Sequence, residues 1–456
     1  MNRLPHDPVL PQLAVALDPA AMAQAFADVL RPHGVQVDAC HVDRVKYRPG
    51  RNATLGYRLA LRDGGWNAFE QHVAARLCGD RDADRIVRSS ATALGPSPAG
   101  PGLHWLPALD MLTWWWPNDP KLPAPRTLSD PSVLREHVLP ELARALGADP
   151  GAIHAGELEI AQYVPEHRLC ARVDLRWHDG IAMQAQRVYC KAGREPDGAT
   201  IHALLLQLQG SAAWRGGRLR TPRALLWHAP TETAWQEGMP GQPLLDAPPA
   251  LQAACAPAVG AQLAALHATP TVTHREVTPE WMRERLAEVV RVLSPVLGAS
   301  VLGAAAQALE EGWPALAHGA AASTLHGDFH GRNILVEDRP AGARVALIDL
   351  DGLRRGPALL ELGACVADAI YRALLEGAPA EREQAAWRSL IAGYVDAGGQ
   401  RPEPAALAWS VAWNLLTQRA WRCVVNLKPG RFEIAPRLVR LATDLARGHA
   451  ATELAC

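Results

Sequence analysis

The stretch "TLHGDFHGRNILV", residues 324–336, crowds two histidines, an aspartate, an arginine and an asparagine into a run that reads as a loop entering a strand. Asp328 is followed five positions later by Asn333, and "ILV" has the apolar, partly β-branched character of a short strand. "RVALID", residues 344–349, reads as its hairpin partner, and the pairing would bring Asp349 back beside Asn333. Asp and Asn are common turn residues, and an isolated Asp-x4-Asn is most often turn chemistry. The combination is sharper: His-Gly-Asp, an asparagine at a fixed distance, a hydrophobic strand, then Asp349 of "IDLDG" sixteen residues past the asparagine. Phosphoryl transfer from ATP requires these groups, because one carboxylate orients the attacking hydroxyl and two oxygen ligands hold Mg2+ against the phosphates. Asp328 fits the first role; Asn333 and Asp349 fit the second. ATP and Mg2+ are the cofactors this reading expects.

The same residues carry a resemblance. "HGDFHGRNILV" with "ALIDLDG" resembles the catalytic and metal segments of the aminoglycoside phosphotransferase and choline kinase family, small-molecule kinases with a protein-kinase-like fold. The family's run is HGDxHxxN followed by a strand that ends in IDxx. The resemblance implies that Asp328 is the catalytic aspartate, that Asn333 and Asp349 are metal ligands, and that His326 braces the catalytic loop. Glu361, in "LLELG", stands where the family usually has an aspartate that opens a helix. His330 and Asp351 join His326 and Glu361 as structural or acceptor-side candidates. The resemblance covers about residues 155–450.

A kinase core also needs a lysine on an earlier strand to contact the α- and β-phosphates. "AQRVYCKAG" (185–193) offers Lys191 near the end of a β-patterned segment. The usual partner is a glutamate on the next helix; "GATIHALLLQLQG" (198–210) has none and offers Gln207 and Gln209 instead. The phosphate-covering turn is expected in "YVPEHRLCAR" (163–172), which lacks glycine, so His167 or Arg168 would supply charge. "TAWQEGMPGQPLL" (233–245) resembles the family's hinge, with the backbone of Gln236, Glu237, Gly238 and Met239 expected to meet adenine.

Ahead of this core, "AAMAQAFADVLRP" (20–32) predicts a short helix, and 42–65 alternates like a hairpin with turns at Pro49-Gly50 and Asp63-Gly64. The pattern returns at 158–180 with a constant offset of 116: Tyr47, Pro49, Leu59, Asp63 and Gly64 fall on Tyr163, Pro165, Leu175, Asp179 and Gly180. Either two hairpins share common turns, or a unit has been duplicated. The first copy has no lysine at the equivalent place, where the offset points to Ala75 or Arg76, and no second HGD follows it. Maltokinases resemble this layout in carrying a cap ahead of a kinase core, but depart from the asparagine at 333. Three adjacent tryptophans in "MLTWWWPNDPKLP" (111–123) could stack on a sugar; wedging two domains together is the favoured reading. Helical segments are expected at 130–147, 251–267, 279–294, 301–318, 358–376, 380–397, 404–427 and 434–449.

The expected class is therefore α+β: a protein-kinase-like two-lobe fold, with a small antiparallel β lobe and a helical lobe, behind an N-terminal α+β cap resembling a degenerate nucleotide lobe. The expected domains are a cap at 1–152, a nucleotide-binding lobe at 153–240 and a helical catalytic and acceptor-binding lobe at 241–456. A length of 456 residues suits several domains. The 46 basic and 47 acidic side chains nearly cancel, so no bulk charge draws the chain to nucleic acid or an anionic membrane. No apolar run of about 20 residues is read as a bilayer span, and the N-terminus lacks the apolar core of a secretory peptide. The eight cysteines are scattered singly, without a CxxC pair, and the expected location is the cytoplasm.

Only eleven residues separate Asp349 from Glu361, too few for the docking segment of a protein-phosphorylating kinase. A small hydroxylated metabolite is the expected partner. From Arg401 onward eight Lys/Arg stand against four acids, which favours a neutral or anionic acceptor such as a sugar or sugar phosphate over a polycation. The alternatives are an aminoglycoside-inactivating kinase and a nucleotide-binding pseudokinase without turnover.

Overall fold

The computed structural model describes residues 4–78, 94–194, 197–312, 322–340, 342–377 and 380–448. The class is α+β, with antiparallel sheets and many helices. The chain divides into two compact units. The first holds Met1–Ala199, Leu225–Trp235 and Val425–Pro429, and the second holds Thr200–Ala224, Gln236–Val424 and Gly430–Cys456. The expected cap at 1–152 shares the first unit with residues 153–199 and 225–235 of the expected nucleotide-binding lobe, whose remaining residues belong to the second.

Two sheets of one design build that unit. Strands β1 (Gln36–Arg48), β2 (Asn52–Arg62), β3 (Ala68–Cys78), β4 (Leu103–Leu106) and β5 (Met111–Trp115) run in the order β1-β2-β3-β5-β4. The second sheet takes β6 (His154–Ala155), β7 (Glu159–Val164), β8 (Arg168–His178), β9 (Met183–Gly193), β10 (Ala224–His228) and β11 (Thr233–Glu237). Its order is β10-β11-β9-β8, with β7 and β6 both on β8, so β7-β8-β9-β11-β10 repeats the first sheet strand for strand. The likeness extends beyond topology. Asp7 accepts from Tyr47 Oη at 2.7 Å, Gly50 N at 2.8 Å and Val9 N at 2.9 Å. Asp119 accepts from Tyr163 Oη at 2.5 Å, Glu166 N at 2.9 Å and Lys121 N at 2.7 Å. Gly50 and Glu166, 116 positions apart, both stand in the left-handed region at φ 67° and 65°. Each aspartate opens the same DPxLP pattern, "DPVLP" at 7–11 and "DPKLP" at 119–123. Duplication, one of two readings open from the hairpins, accounts for all of these; shared turn chemistry accounts for none beyond the turns.

Helix Pro19–Leu30 has Asp18 as its N-cap, accepting from Ala20 N and Ala21 N, and buries Met22, Phe26 and Leu30 at helical spacing. Trp114 and Trp115 are fully buried, and Trp115 meets Phe26 edge-on at 5.6 Å between centroids. Trp116 packs edge-on against Tyr163 of β7 at 5.6 Å. The tryptophan run thus joins the two sheets as a packing wedge and is not an open platform for a sugar ring.

The second unit is mostly helical. Its helices include Pro249–His267, Pro279–Leu297, Ala299–Glu311, Leu359–Glu376, Ala380–Asp396, Pro404–Asn414 and Ala435–Ala446. These match the expected segments, except that 313–318 and 449 lie outside the described residues. A π-helical turn at Leu415–Ala420 divides the expected 404–427 helix. Pro249–His267 is long and apolar enough by composition to cross a bilayer, against the expectation of no such run. Here it packs on Ala380–Asp396 so closely that a Cβ on Gly260 would stand 2.0 Å from Leu390 O, and one on Gly393 would stand 2.2 Å from Pro257 O. Two small sheets hold the motif: β12 (Gln242–Pro243), β14 (Ile334–Glu337) and β15 (Arg344–Leu347) in the order β12-β14-β15, and β13 (Ser323–Leu325) against β16 (Arg354–Gly356).

Candidate active site

The expected hairpin forms. Ile334 pairs with Leu347 and Leu335 with Ala346, and Ile348 N donates to Asn333 O at 2.9 Å. Asp349 therefore leaves β15 directly beside the residue where β14 begins. Asn333 is buried, and its Nδ2 donates to Asp328 O at 3.0 Å, which commits the nitrogen end of the amide and leaves Oδ1 for other use. Asp349 has φ 59°, an uncommon backbone for a residue with a side chain and one that clusters at functional sites. The three oxygen-bearing side chains expected to act together lie on adjoining segments of one unit.

Buried groups fix the loop that carries Asp328. Glu361, at the start of helix Leu359–Glu376, accepts from His326 N at 2.8 Å and Gly327 N at 2.6 Å. Its Oε2 also lies 3.0 Å from His267 Nε2, whose Nδ1 is 3.0 Å from Tyr394 Oη. Burial alone would raise the Glu361 carboxyl, but the hydrogen bond and charge of His267 and the Gly327 amide hold it below the usual carboxylate range. It is thus an ionised staple for the backbone before Asp328. His326 is buried, and its Nε2 donates to Ile348 O at 2.9 Å, which ties the Asp328 loop to the Asp349 strand. Gly327 has φ 82°, and a Cβ there would stand 2.0 Å from Gly352 O. Asp351 lies in the short 3-10 turn Leu350–Gly352, where its carbonyl accepts from Arg275 Nη1 at 2.7 Å.

Asp328 itself is held from two sides. Arg422 Nη2 lies 2.7 Å from Oδ1, and His330 Nε2 lies 3.6 Å from Oδ2. Desolvation opposes ionisation, but His330 and Arg422 outweigh it and hold the carboxyl well below its ordinary value. His330 and Gly331 border a cavity of about 370 Å³ in the same unit. Its wall includes Asp368, which pairs with Arg419 at 3.1 Å and Arg372 at 3.2 Å, and Glu383, which pairs with Arg372 at 2.7 Å. Among the described residues no group of three or more His, Cys, Asp or Glu could hold a metal by itself. One amide and one carboxylate, Asn333 and Asp349, fit a cation that keeps waters and takes its other oxygens from phosphates.

Of the remaining expected residues, His167, Arg168 and Lys191 belong to the first unit, and Gln207, Gln209 and Gln236–Met239 to the second. Lys191 is buried on β9, opposite Cys170 of β8. A buried lysine is rare without a partner, and this one has electrostatic company. Gln207 is not its partner: the amide is spent on Val272, accepting from its N at 2.6 Å and donating to its O at 3.2 Å. Gln209 Oε1 is buried without a hydrogen bond. Arg168 opens β8 and pairs with Gly193. His167 Nε2 is 2.7 Å from Lys46 Nζ of β1, and burial followed by Lys46 pushes the imidazole down, so it accepts from the lysine as a neutral ring. A buried acid adds to the charge at this turn. Glu166 is buried and ion-paired to both Arg76 of β3 and Lys121. Arg76 faces Thr54 in its sheet as Lys191 faces Cys170, so the first copy's counterpart of the lysine serves the second copy's turn. Gln236 and Glu237 end β11 where the chain passes into the second unit; Glu237 N donates to Arg223 O at 2.8 Å. Gly238 and Met239 follow, and β12 begins at Gln242.

Residues 187–407, just under half of the chain, match the model of the phosphotransferase enzyme family. Among curated proteins none matches significantly. Similar solved structures include the choline/ethanolamine kinase family protein from Mesorhizobium loti, at 16% identity, with 64% of this chain and 93% of that chain covered and a TM-score of 0.42. The macrolide 2'-phosphotransferase MphH from Brachybacterium faecium gives 19% identity, 66% and 97% coverage and a TM-score of 0.39. A thermostable mutant of the aminoglycoside phosphotransferase APH(4)-Ia, in ternary complex with AMP-PNP and hygromycin B, gives 18% identity, 69% and 99% coverage and a TM-score of 0.43.

Proposed function

We propose that this chain, of the phosphotransferase enzyme family through residues 187–407, transfers the terminal phosphoryl group of ATP to a hydroxyl of a small molecule, with Mg2+ as cofactor and a sugar or sugar-like metabolite as acceptor. The observation that carries this reading is the convergence of Asp328, Asn333 and Asp349 through the bonds Asn333 Nδ2 to Asp328 O and Ile348 N to Asn333 O. In the transfer, the acceptor oxygen forms a bond to the γ-phosphorus, the bond to the β–γ bridging oxygen breaks, and its electron pair leaves with ADP. The hydroxyl proton passes to Asp328. A carboxylate held so far below its usual range is a weak base, so Asp328 acts chiefly by orienting the hydroxyl; a loose transition state demands little more. Asn333 Oδ1 and the Asp349 carboxylate would hold Mg2+, which neutralises charge on the β- and γ-phosphates. Lys191 would contact the α- and β-phosphates, and the backbone of Gln236–Met239 would meet adenine.

A small acceptor is favoured because helix Leu359–Glu376 resumes ten residues after Asp349 and leaves no docking segment. The cavity beside His330, at about 370 Å³, has the size of a small-molecule site. Its two carboxylates are already matched by arginines, which argues against a polycationic acceptor. The test is ADP release with Mg-ATP over a panel of sugars, sugar phosphates and aminoglycosides, for the wild type and Asp328→Asn. Turnover lost in the variant, with nucleotide binding kept, supports the reading. Turnover retained in the variant refutes the role of Asp328, and nucleotide binding without turnover on any acceptor favours a binding module.

A further inference from the structure

Four half-buried arginines surround the catalytic loop in the second unit, and their arrangement has a chemical consequence. Arg422 Nη2 is 2.7 Å from Asp328 Oδ1. Arg285 stacks over Trp421, the neighbour of Arg422, at 4.1 Å and donates to Thr417 O at 2.7 Å. Arg354 of β16 lies over Trp281, 5.7 Å away and one turn from Arg285 on the same helix. Its Nε donates to Gly352 O at 3.1 Å and stands 3.0 Å from where a Gly327 Cβ would be. Arg275 reaches the same turn through Asp351 O. Among the described residues Arg354 and Arg275 make no ion pair; their guanidinium bonds go to carbonyls.

Cations partly removed from water are costly unless an anion faces them. Three carboxylates are near, but Glu288 is taken by Arg285 at 2.8 Å, Glu361 is spent on backbone amides and His267, and Asp328 already has Arg422 and His330. Burial and the charge of Arg275 push Arg354 down, and burial lowers Arg285 too, against the opposing pull of Glu288. The aromatic faces and carbonyls hold the guanidinium planes in place before any ligand arrives.

We infer that Arg354, Arg275 and Arg422, with Arg285 bracing Trp421 beside them, form the recognition site for an anionic group of the acceptor, which is thus an alcohol bearing a phosphate or carboxylate. This rests on the phosphotransfer reading above and names the acceptor class for that site. Arg422 links recognition to chemistry. Once it turns to the arriving anion, Asp328 Oδ1 is released for the acceptor hydroxyl.

The test compares matched alcohols with Mg-ATP: glycerol against glycerol 3-phosphate, ribose against ribose 5-phosphate, and glucose against gluconate. The anionic member of a pair is expected to exceed its neutral twin in kcat/KM by at least about tenfold, the worth of one charge-assisted hydrogen bond. The phosphate and carboxylate pairs tell the two anions apart. Arg354→Gln should close most of that gap through the acceptor KM while the ATP KM stays put; Arg275→Gln replaces it if melting shows that Arg354→Gln is unfolded. Neutral twins that turn over as well as the anions overturn the inference and leave the kinase reading standing. If no acceptor gives ADP, the kinase reading falls, and calorimetry with inorganic phosphate decides the arginine site. Binding about tenfold weaker in Arg354→Gln keeps the site, and equal binding in both proteins removes it.

Discussion

Glu361 Oε1 accepts the backbone N–H of Gly327 at 2.6 Å across 34 positions of sequence, so the residue before Asp328 is held by a carboxylate from the next helix. Its other oxygen serves His326 N and His267, which leaves no spare capacity at this acid. Glu361→Ala removes one charge from a buried set and is expected to cost about 3 kcal/mol or more, by analogy with broken buried pairs. Glu361→Asp should recover part of that. Urea unfolding measures both, and a loss below about 1 kcal/mol for the alanine variant would deny the staple its role.

Gly327→Ala should be among the most damaging small changes in the chain. The new methyl would stand 2.0 Å from Gly352 O at a φ of 82°, so both sterics and backbone oppose it. We expect a loss of several kcal/mol, or no soluble protein; a variant that melts within 2 °C of the wild type would contradict this geometry.

The depressed Asp328 carboxyl makes a pH prediction. Its ionised form, bound by Arg422 and His330, stabilises the folded chain at any pH above the ordinary aspartate value of about 4. That contribution is lost as pH falls through the lower folded value. The stability gap between the wild type and Asp328→Asn should shrink as pH falls below about 4. A gap unchanged down to pH 3 would mean that the carboxyl is not ionically held.

Asp349→Asn should raise the Mg2+ concentration needed for half-maximal turnover by tenfold or more, with stability little changed, since a carboxylate is replaced by an amide of the same shape. Equal Mg2+ dependence in both proteins would remove Asp349 from the metal site.

Arg76→Ala and Lys121→Ala each leave Glu166 with one cation, and the double variant leaves it buried with none. The single changes are expected to raise the ATP KM a few-fold by loosening the turn at 164–167. The double change should destabilise by about 3 kcal/mol or more. An ATP KM that ignores all three variants would separate this turn from nucleotide binding.

How much of this was legible beforehand depended on the reach of each interaction. The hairpin joining Asn333 to Asp349 was readable because it is local: a strand, a turn and a strand within sixteen residues. Most helices were readable from their periodicity. Arg422, 94 positions from Asp328, carries no local mark that separates it from a solvent-facing arginine on a helix. Glu361 could be placed but not given a job, because its partners are backbone amides, which every sequence has. Gln207 looked like a stand-in for a missing glutamate until its tie to Val272 was seen. The duplication was half legible. The hairpins keep an offset of 116, whereas "DPVLP" and "DPKLP" stand 112 apart, so a single fixed spacing misses the second match.

The crossing of Arg76 onto Glu166 carries a historical consequence. Where the first copy has glycine at position 50, the second has a buried acid paired with Arg76 of the first copy and with Lys121 of its own. Shedding the first repeat alone would take Arg76 away from that acid. A recombinant splicing this nucleotide lobe onto a capless relative would gain from an uncharged residue at 166, so lineages that lost the front repeat should carry a glycine or other uncharged residue there.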